Sequence, residues 1–470
     1  MVDRVLLREE LLQVLGHAGL LEGGAIGPSY FEDISHERSG RPWLVLRPAG
    51  TSEVAKYLEF CHRHDQSLVP QGGMTGLVSA GTPVDDEVAL STQRMNSIEE
   101  LDPVSATLTV QAGVTLQQIQ EAADAAGFLF PLDIGARGSC TVGGNLSTNA
   151  GGNRVLRYGM MRDLTLGVEA VLADGTLIEG IHKMTKNNAG FDLKHLFIGT
   201  EGTLGVITRA VLRLHPKPLS QSVAFCSLAD FPAALRFLQF IRSALGGRLS
   251  AFEALRSNAY ELVVDSVTRV RPPLPVGRPF YVLVESMGAD RDADGEAFQQ
   301  VLARALEDGL IEDAAIGISM REVLALWEVR DAVSEAVLKL DPFLSYDVSM
   351  PADQMESFAN AVVGGIQKDW PSAREGVFGH IGDGNLHIVT NVGADGTPRE
   401  VVDHLVYEAT RAARGSISAE HGIGFQKREW LGHTRTEQEM ALMRRLKVSL
   451  DPKNLLSRGR VLTEAPAAVG

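Results

Sequence analysis

The spacing of apolar residues changes character once along this chain, near residue 218. From about 42 to 217 the apolar runs are short and glycine separates them. Segments 44–47, 68–70 and 88–90 are apolar runs bounded by turn residues, which predicts strands. Thr51 to Cys61 has helical spacing, with Ser52 as its candidate cap. Segment 106–112, ATLTVQA, alternates and predicts a strand, followed by a helix over 115–126. Segment 165–180, TLGVEAVLADGTLIEG, predicts a hairpin that turns at Asp174-Gly175. The stretch 203–214, TLGVITRAVLRL, predicts one more strand. At the N-terminus, MVDRVLLREELLQVLGHAGLL sets Asp3, Glu9 and Glu10 inside a helical apolar pattern, so it predicts an amphipathic helix and not a leader.

Pro216 and Pro218 break the first style. Beyond them, 222–227, 279–285 and 343–349 predict strands. Longer helical patterns lie at 230–244, 291–307, 319–339, 353–366, 399–413 and 436–448. The expectation is an α+β fold with helices on one face of an antiparallel sheet. Three parts are expected: a first domain over 1–217, a second over 218–414, and a C-terminal segment over 415–470 that packs back on the first.

Composition narrows the class. A net charge of −15 with scattered Lys and Arg argues against nucleic-acid binding, which needs a basic face. The three cysteines, Cys61, Cys140 and Cys226, are odd in number and far apart. That argues against a disulfide framework, a Cys-ligated zinc or an iron–sulfur cluster. A reducing cytoplasm is the expected location, or a mitochondrial matrix in a eukaryote. No run of 18 apolar residues predicts a membrane span.

Three glycine clusters carry candidate chemistry. Pro70-Gln71-Gly72-Gly73-Met74-Thr75-Gly76-Leu77 follows a short apolar run, and adjacent glycines let successive N–H groups face one concavity that suits a diphosphate. The same run also fits a plain tight turn. The second cluster, 138–153, is GSCTVGGNLSTNAGGN and bears no charge before Arg154. It fits a loop wrapped around a polar ligand, or a flexible surface loop. The third runs from Gly199 to Ile207, GTEGTLGVI. No G-x-G-x-x-G or G-x-x-x-x-G-K-[ST] occurs, so the Rossmann and Walker signatures are absent.

Taken together, PQGGMTGL, GSCTVGGNLSTNAGG with RYGMMRD, the strand pair around ADGT, and GTEGTLGVIT resemble the PCMH-type FAD-binding domain of the vanillyl-alcohol-oxidase superfamily. The resemblance runs from about 42 to 217. It implies that Pro70 to Leu77 hold the FAD pyrophosphate. It also implies that Leu132, Gly138, Ser139, Thr141, Gly143, Gly144, Asn145, Thr148, Asn149, Gly151, Gly152 and Tyr158 lie along the flavin and ribityl chain. Glu201, Gly202, Gly205, Val206 and Ile207 would contact the adenosine side. Some members attach FAD through a histidine near the first loop. This chain has Met74 there and no histidine from 65 to 181, so non-covalent FAD is expected.

The sharpest cluster of side chains is His380-Ile-Gly-Asp-Gly-Asn-Leu-His387, with Glu420 and His421 in SAEHGIGF further on. Two imidazoles and a carboxylate could hold zinc or a similar divalent ion. A spacing of seven is not a standard ligand spacing, so the residues alone leave ligation open.

HIGDGNLHI, SAEHGIGFQKREWL and DPKNLLSRGRV resemble the C-terminal domain of FAD-linked oxidases, which include D-2-hydroxyglutarate and flavin D-lactate dehydrogenases. With it the resemblance covers nearly the whole chain. It implies a metal on His380, His387 and Glu420, with His421 as catalytic base and substrate contact. Asn385 and Asn454 would approach the flavin ring. Arg330 would bind the substrate carboxylate, with Ser334 one turn later. The implied reaction is oxidation of a D-2-hydroxy acid such as D-2-hydroxyglutarate, D-lactate or D-malate. An external acceptor (an electron-transfer flavoprotein, a quinone or a cytochrome) would take the electrons, and a homodimer is compatible.

Two positions depart from the hydroxyglutarate pattern. Ser345 stands where a lysine is usual, and Val389 where an asparagine is usual. Both remove polar contacts from the substrate region and add weight to a less polar acid. Two other readings share the scaffold: another flavin oxidase or an ether-lipid-type synthase, and a flavin-binding subunit of a larger glycolate- or lactate-oxidising complex. The set His380, His387, Glu420 and His421 counts against the last, because a non-catalytic subunit need not keep it.

Overall fold

The computed structural model describes residues 4–84, 86–340, 342–392 and 398–463. They form two compact units. Unit 1 comprises 1–152, 159–217 and 420–470; unit 2 comprises 153–158 and 218–419.

Unit 1 holds two main sheets. The first has strands β1 (Leu20–Glu22), β2 (Leu44–Leu46), β3 (Leu68–Gln71) and β4 (Val88–Ser91) in the order β1-β2-β4-β3, with β2, β4 and β3 parallel. The three parallel strands are mostly apolar and buried because both faces are covered. Leu44, Leu46, Leu68, Val88 and Leu90 pack on the Thr51–Arg63 helix through Val54, Tyr57, Leu58 and Cys61. Val45, Val69 and Ala89 face Ile26 on the other side. The second sheet is antiparallel. Its strands β5 (Ile98–Asp102), β6 (Thr107–Gln111), β8 (Thr165–Val171), β9 (Leu177–Gly180) and β10 (Val206–Arg213) lie in the order β5-β6-β10-β8-β9. A short pair, β7 (Phe128–Leu129) and β11 (His215–Pro216), completes the unit. The expected turn after β8 forms, with Gly175 at φ +90.

Unit 2 is built on seven antiparallel strands. They are β12 (Ser220–Leu228), β13 (Leu249–Arg256), β14 (Phe280–Gly288), β15 (Asp313–Gly317), β16 (Leu344–Ser349), β17 (Glu375–Gly379) and β18 (Asn385–Thr390). Their order is β15-β12-β14-β13-β17-β18-β16. Sequence patterning placed the helices on one face, and the structure corrects this. The Ser257–Ser266 and Met320–Val337 helices pack on Val223, Phe225, Leu255, Tyr281 and Leu283. The Phe231–Leu245 helix covers the opposite face, with Phe237 against Phe252 and Phe231 against Phe280. The strands are apolar on both sides, and each side needs cover.

Caps set the helix starts. Thr115 with Gln118, Ser319 with Glu322, and Thr436 with Glu439 form reciprocal capping boxes. Ser52 does not cap its helix as expected. Gly50 is the cap residue, Ser52 lies inside the first turn, and Glu53 reaches back to the Ala49 N–H at 2.9 Å.

The C-terminal residues of unit 1 are tied to it by a buried ion pair. Arg460 donates to both oxygens of Glu87 at 2.8 and 2.7 Å and also to Thr82 O. Both partners are fully buried. Breaking such a pair strands a charge and costs about 3–5 kcal/mol, whereas replacing both partners by apolar groups costs far less. Glu87→Leu is therefore expected to lower unfolding free energy by about 3–5 kcal/mol in urea denaturation. Adding Arg460→Met should restore most of the loss.

Candidate active site

In unit 1 the first two glycine clusters lie against each other. A Cβ at Gly73 would stand 1.9 Å from Ser139 O, and one at Gly72 would stand 2.5 Å from Thr141 Oγ1. Only glycine permits that approach. Pro70 and residues 72–77 are half-buried, and Gln71 is buried. Met74 holds φ at 52, a left-handed conformation disfavoured for its side chain. The backbone N–H groups of Gly73 to Leu77 have no acceptor among the described residues. Gln71 donates to Tyr30 O and Gly81 O, while its buried Oε1 has no partner. A half-buried row of unmatched donors beside a buried polar group fits a phosphate-bearing cofactor.

The second cluster is partly helical. Thr141 caps a Val142–Thr148 turn by accepting from the Gly144 N–H. Thr148 donates to Gly144 O, Asn145 donates to Cys140 Sγ at 3.7 Å, and Asn149 accepts from the Arg162 N–H. Gly143 packs on Ala112, and Gly152 passes close to Asp133 O. Gly138 and Ser139 are exposed, Gly151 and Leu132 are buried, and Tyr158 is half-buried in the segment that joins unit 2.

Gly202 of the third cluster sits beside Pro70 and Ser457. Gly205, Val206 and Ile207 are buried, the latter two at the start of β10. The Glu201 carboxylate accepts from the N–H groups of Ile423 and Gly424 at 2.7 and 2.8 Å. Burial pushes this carboxyl above its usual range, against the pull of those two N–H groups. A Cβ at Gly422 would meet the same carboxylate at 2.8 Å. Glu201 thus fixes the turn that carries Glu420 and His421, both half-buried. Asn454, at φ 51, precedes the residues that bond to Leu68 at the foot of β3.

In unit 2 the histidines sit on a hairpin. β17 and β18 pair Phe378 with His387, and the turn between them begins at His380, whose carbonyl accepts from Asp383 and Asn385. Gly379 and Gly384 hold φ at 154 and 94 there. Alternation then puts Asn385, His387 and Val389 on one face, and the His380 ring from the turn lies beside that of His387. The two buried rings stand 5.6 Å apart and nearly perpendicular, and Phe378 stacks on His387 at 5.0 Å.

Two carboxylates missed by sequence patterning organise this face. Glu253 on β13 accepts from His380 Nδ1 at 2.6 Å and from Arg330 Nε at 2.8 Å. Burial raises its carboxyl, but His380 and Arg330 outweigh it and hold the pKa at about 2. With Nδ1 toward this carboxylate, a neutral His380 protonated at Nδ1 would carry its lone pair on Nε2, the arrangement suited to a metal ligand. Arg330 is no surface helix residue: it is buried beside Phe378, while Ser334 is exposed. Asp347 on β16 is the other organiser. It accepts from Asn385 Nδ2 at 2.9 Å and from the Ala419 N–H at 3.1 Å, and stands 3.8 Å from His387 Nδ1. Asn385 Oδ1 is buried without a partner. Ala419 is joined by one peptide bond to Glu420. Ser345 and Val389 are direct cross-strand neighbours. No sequence signal marked Glu253 or Asp347, since a single carboxylate in an apolar strand has no motif.

Comparison with known proteins agrees with this organisation. Residues 42–180 match the family described as FAD binding domain, and residues 217–461 match FAD linked oxidases, C-terminal domain. The D-2-hydroxyglutarate dehydrogenase of Bos taurus mitochondria is 42% identical over 429 residues, covering 90% of this chain and 77% of that protein. The Arabidopsis thaliana mitochondrial D-2-hydroxyglutarate dehydrogenase is 38% identical over 453 residues, covering 96% and 80%. A solved alkyldihydroxyacetonephosphate synthase has a TM-score of 0.74 and 16% identity over 97% of this chain and 84% of its own, a likeness of fold. The C-terminal match spans more than half of the chain, and the relatives exceed 30% identity along most of it, so this protein belongs to the FAD linked oxidases.

Proposed function

We propose that the chain oxidises a D-2-hydroxy acid to the 2-oxo acid, using non-covalent FAD and a divalent metal. The observation that carries the reading is the meeting, on one face of the unit 2 sheet, of a buried guanidinium and two buried imidazoles. A 2-hydroxy acid offers a carboxylate for the first and a hydroxyl to be activated beside the others. The names of the relatives above support the same class of substrate.

Arg330 binds the substrate carboxylate. Its Nε is tied to Glu253, which leaves both terminal nitrogens of the fork for a bidentate contact. Ser334, one turn after Arg330, and Ser345 would add hydroxyl contacts to the substrate, with Val389 opposite Ser345. His380 and His387, with Glu420, form the metal set; zinc suits it, and its Lewis acidity would lower the pKa of the substrate hydroxyl. His421 takes the hydroxyl proton, a task suited to a group with an ordinary pKa near ~6.5. Bound FAD supplies the acceptor for the C2 hydride, at flavin N5. Pro70 to Leu77 hold its pyrophosphate, and Leu132, Gly138 to Gly152 and Tyr158 line the flavin and ribityl chain. Glu201 to Ile207 serve the adenosine end, and Asn385 and Asn454 serve the ring. With Met74 in the first loop and no histidine there, denaturation should release the flavin into solution.

Val389 is buried in the apolar cluster of unit 2, to which Val329, Val333 and Trp327 also belong, and lies next to Gly376. This apolar neighbour favours a substrate whose far end is less polar than a second carboxylate.

Gly73→Ala should purify without flavin absorbance, because its Cβ would overlap Ser139 O. Retained flavin at wild-type stoichiometry would remove the first loop from the cofactor site. Anaerobic mixing of the wild type with D-lactate, D-malate and D-2-hydroxyglutarate should bleach the flavin, while the L-acids should not. Chelation should stop the bleaching. His421→Ala should keep FAD and metal yet bleach about 10²–10⁴-fold more slowly. Bleaching that survives chelation, or an unimpaired His421→Ala, would sink the corresponding part of the reading.

A further inference from the structure

We propose that Glu253 is the positioning residue of this site, one carboxylate that presents His380 to the metal and Arg330 to the substrate together. The inference rests on the function proposed above and assigns the link between its two halves. Glu253 projects from β13 and is buried. Its Oε1 accepts from His380 Nδ1 at 2.6 Å, and its Oε2 accepts from Arg330 Nε at 2.8 Å. Each oxygen therefore faces one donor that the reaction needs. The first bond favours the neutral tautomer protonated at Nδ1, with its lone pair on Nε2, and fixes the ring plane. The second holds a long, rotamer-rich side chain in one orientation. Arg330 reaches the sheet from the Met320–Val337 helix, and His380 sits at the β17–β18 turn. Glu253 is the side chain bonded to both.

A glutamine cannot replace it. With its oxygen toward His380, its NH2 group would oppose the Arg330 Nε–H, donor against donor. Turned round, it would donate to His380 Nδ1 and force the ring proton onto Nε2, the atom a metal needs. Either way one partner is misdirected. Glu253 could instead serve only to dock the helix. The same helix has an independent tether three residues earlier, where Trp327 Nε1 donates to Glu285 at 3.0 Å. Removing that tether separates docking from presentation.

The test uses the FAD-loaded protein and zinc as probe, with zinc affinity measured by chelator competition without turnover. Glu253→Gln is expected to weaken zinc by about 10–100-fold and to raise KM for the D-2-hydroxy acid by about 10-fold or more, with flavin absorbance unchanged. Glu253→Asp keeps two acceptor oxygens and should recover part of both losses. Trp327→Phe should leave zinc affinity at the wild-type value. A Glu253→Gln protein with wild-type zinc affinity and KM overturns the proposal, as does a Trp327→Phe protein with the same losses. Should Glu253→Gln not fold, Glu253→Asp decides, since its retracted carboxylate must weaken both affinities together. A wild type that binds no zinc overturns the functional reading and this inference alike. Zinc binding with an indifferent Glu253→Gln overturns this inference alone.

Discussion

Taking a carboxylate out of water costs several kcal/mol unless donors surround it. Unit 2 is arranged around two such groups. Glu285, near the centre of β14, accepts from Arg154, Gln221, Ser250 and Trp327. Burial would raise its carboxyl, and Arg154 and the other donors bring it below the usual range. Glu253 accepts from Arg330 and His380. Trp327 and Arg330 lie three apart on one helix, so the two carboxylates fix that helix on the sheet at two points. The face that carries the candidate chemistry is set by this requirement. The imidazole and the guanidinium are where they are because a buried negative charge needs them there.

Unit 1 uses the same physics for another purpose. Glu201 turns a buried carboxylate onto two backbone N–H groups and so fixes the turn after His421. Lys447 donates to Asp451, Thr203 O and Leu456 O, which ties the C-terminal helix to the third glycine cluster. Near the glycine clusters the rule reverses. Local backbone donors of Gly73 to Leu77 are left unmatched among the described residues, and side chains are removed so that loops can touch. Unpaired N–H groups in a half-buried position are tolerable when a ligand or water meets them. Charge is satisfied internally where the fold must be rigid, and donors stay open where, under the proposed function, a ligand would enter.

This division explains what was legible in the sequence. Repeated apolar spacing revealed the strands Leu44–Leu46, Leu68–Gln71 and Val88–Ser91 and most long helices, because burial imposes the period. The glycine clusters were visible because close approach admits no Cβ. The strands Leu249–Arg256, Glu375–Gly379 and Asn385–Thr390 escaped notice. Each carries Glu, Gly, His or Asn at a site position and so breaks its apolar pattern where it matters. Covering helices were assigned to one face because a helix pattern shows that it has a buried side, not which sheet face it meets. Glu253 and Asp347 were invisible for a further reason. Their meaning depends on partners 77, 127 and 38 residues away, and no local pattern encodes that.

The two departures from the hydroxyglutarate pattern turn out to be one. Ser345 and Val389 pair directly across β16 and β18, beside the pair Asp347 and His387. On β17 the residue opposite Val389 is Gly376, where a Cβ would meet Val389 Cγ2 at 3.1 Å. An amide at 389 would enter the buried apolar cluster of unit 2, which offers it little to bond. A lysine at 345 would then lose the polar neighbour across the strand. The core of unit 2 and the polarity of the substrate region are therefore coupled through register. Under the proposed function, a change of substrate toward a dicarboxylate requires both positions to change together, with repacking around Gly376. Under that reading, the preference for a less polar acid and the packing of the core would rest on the same valine.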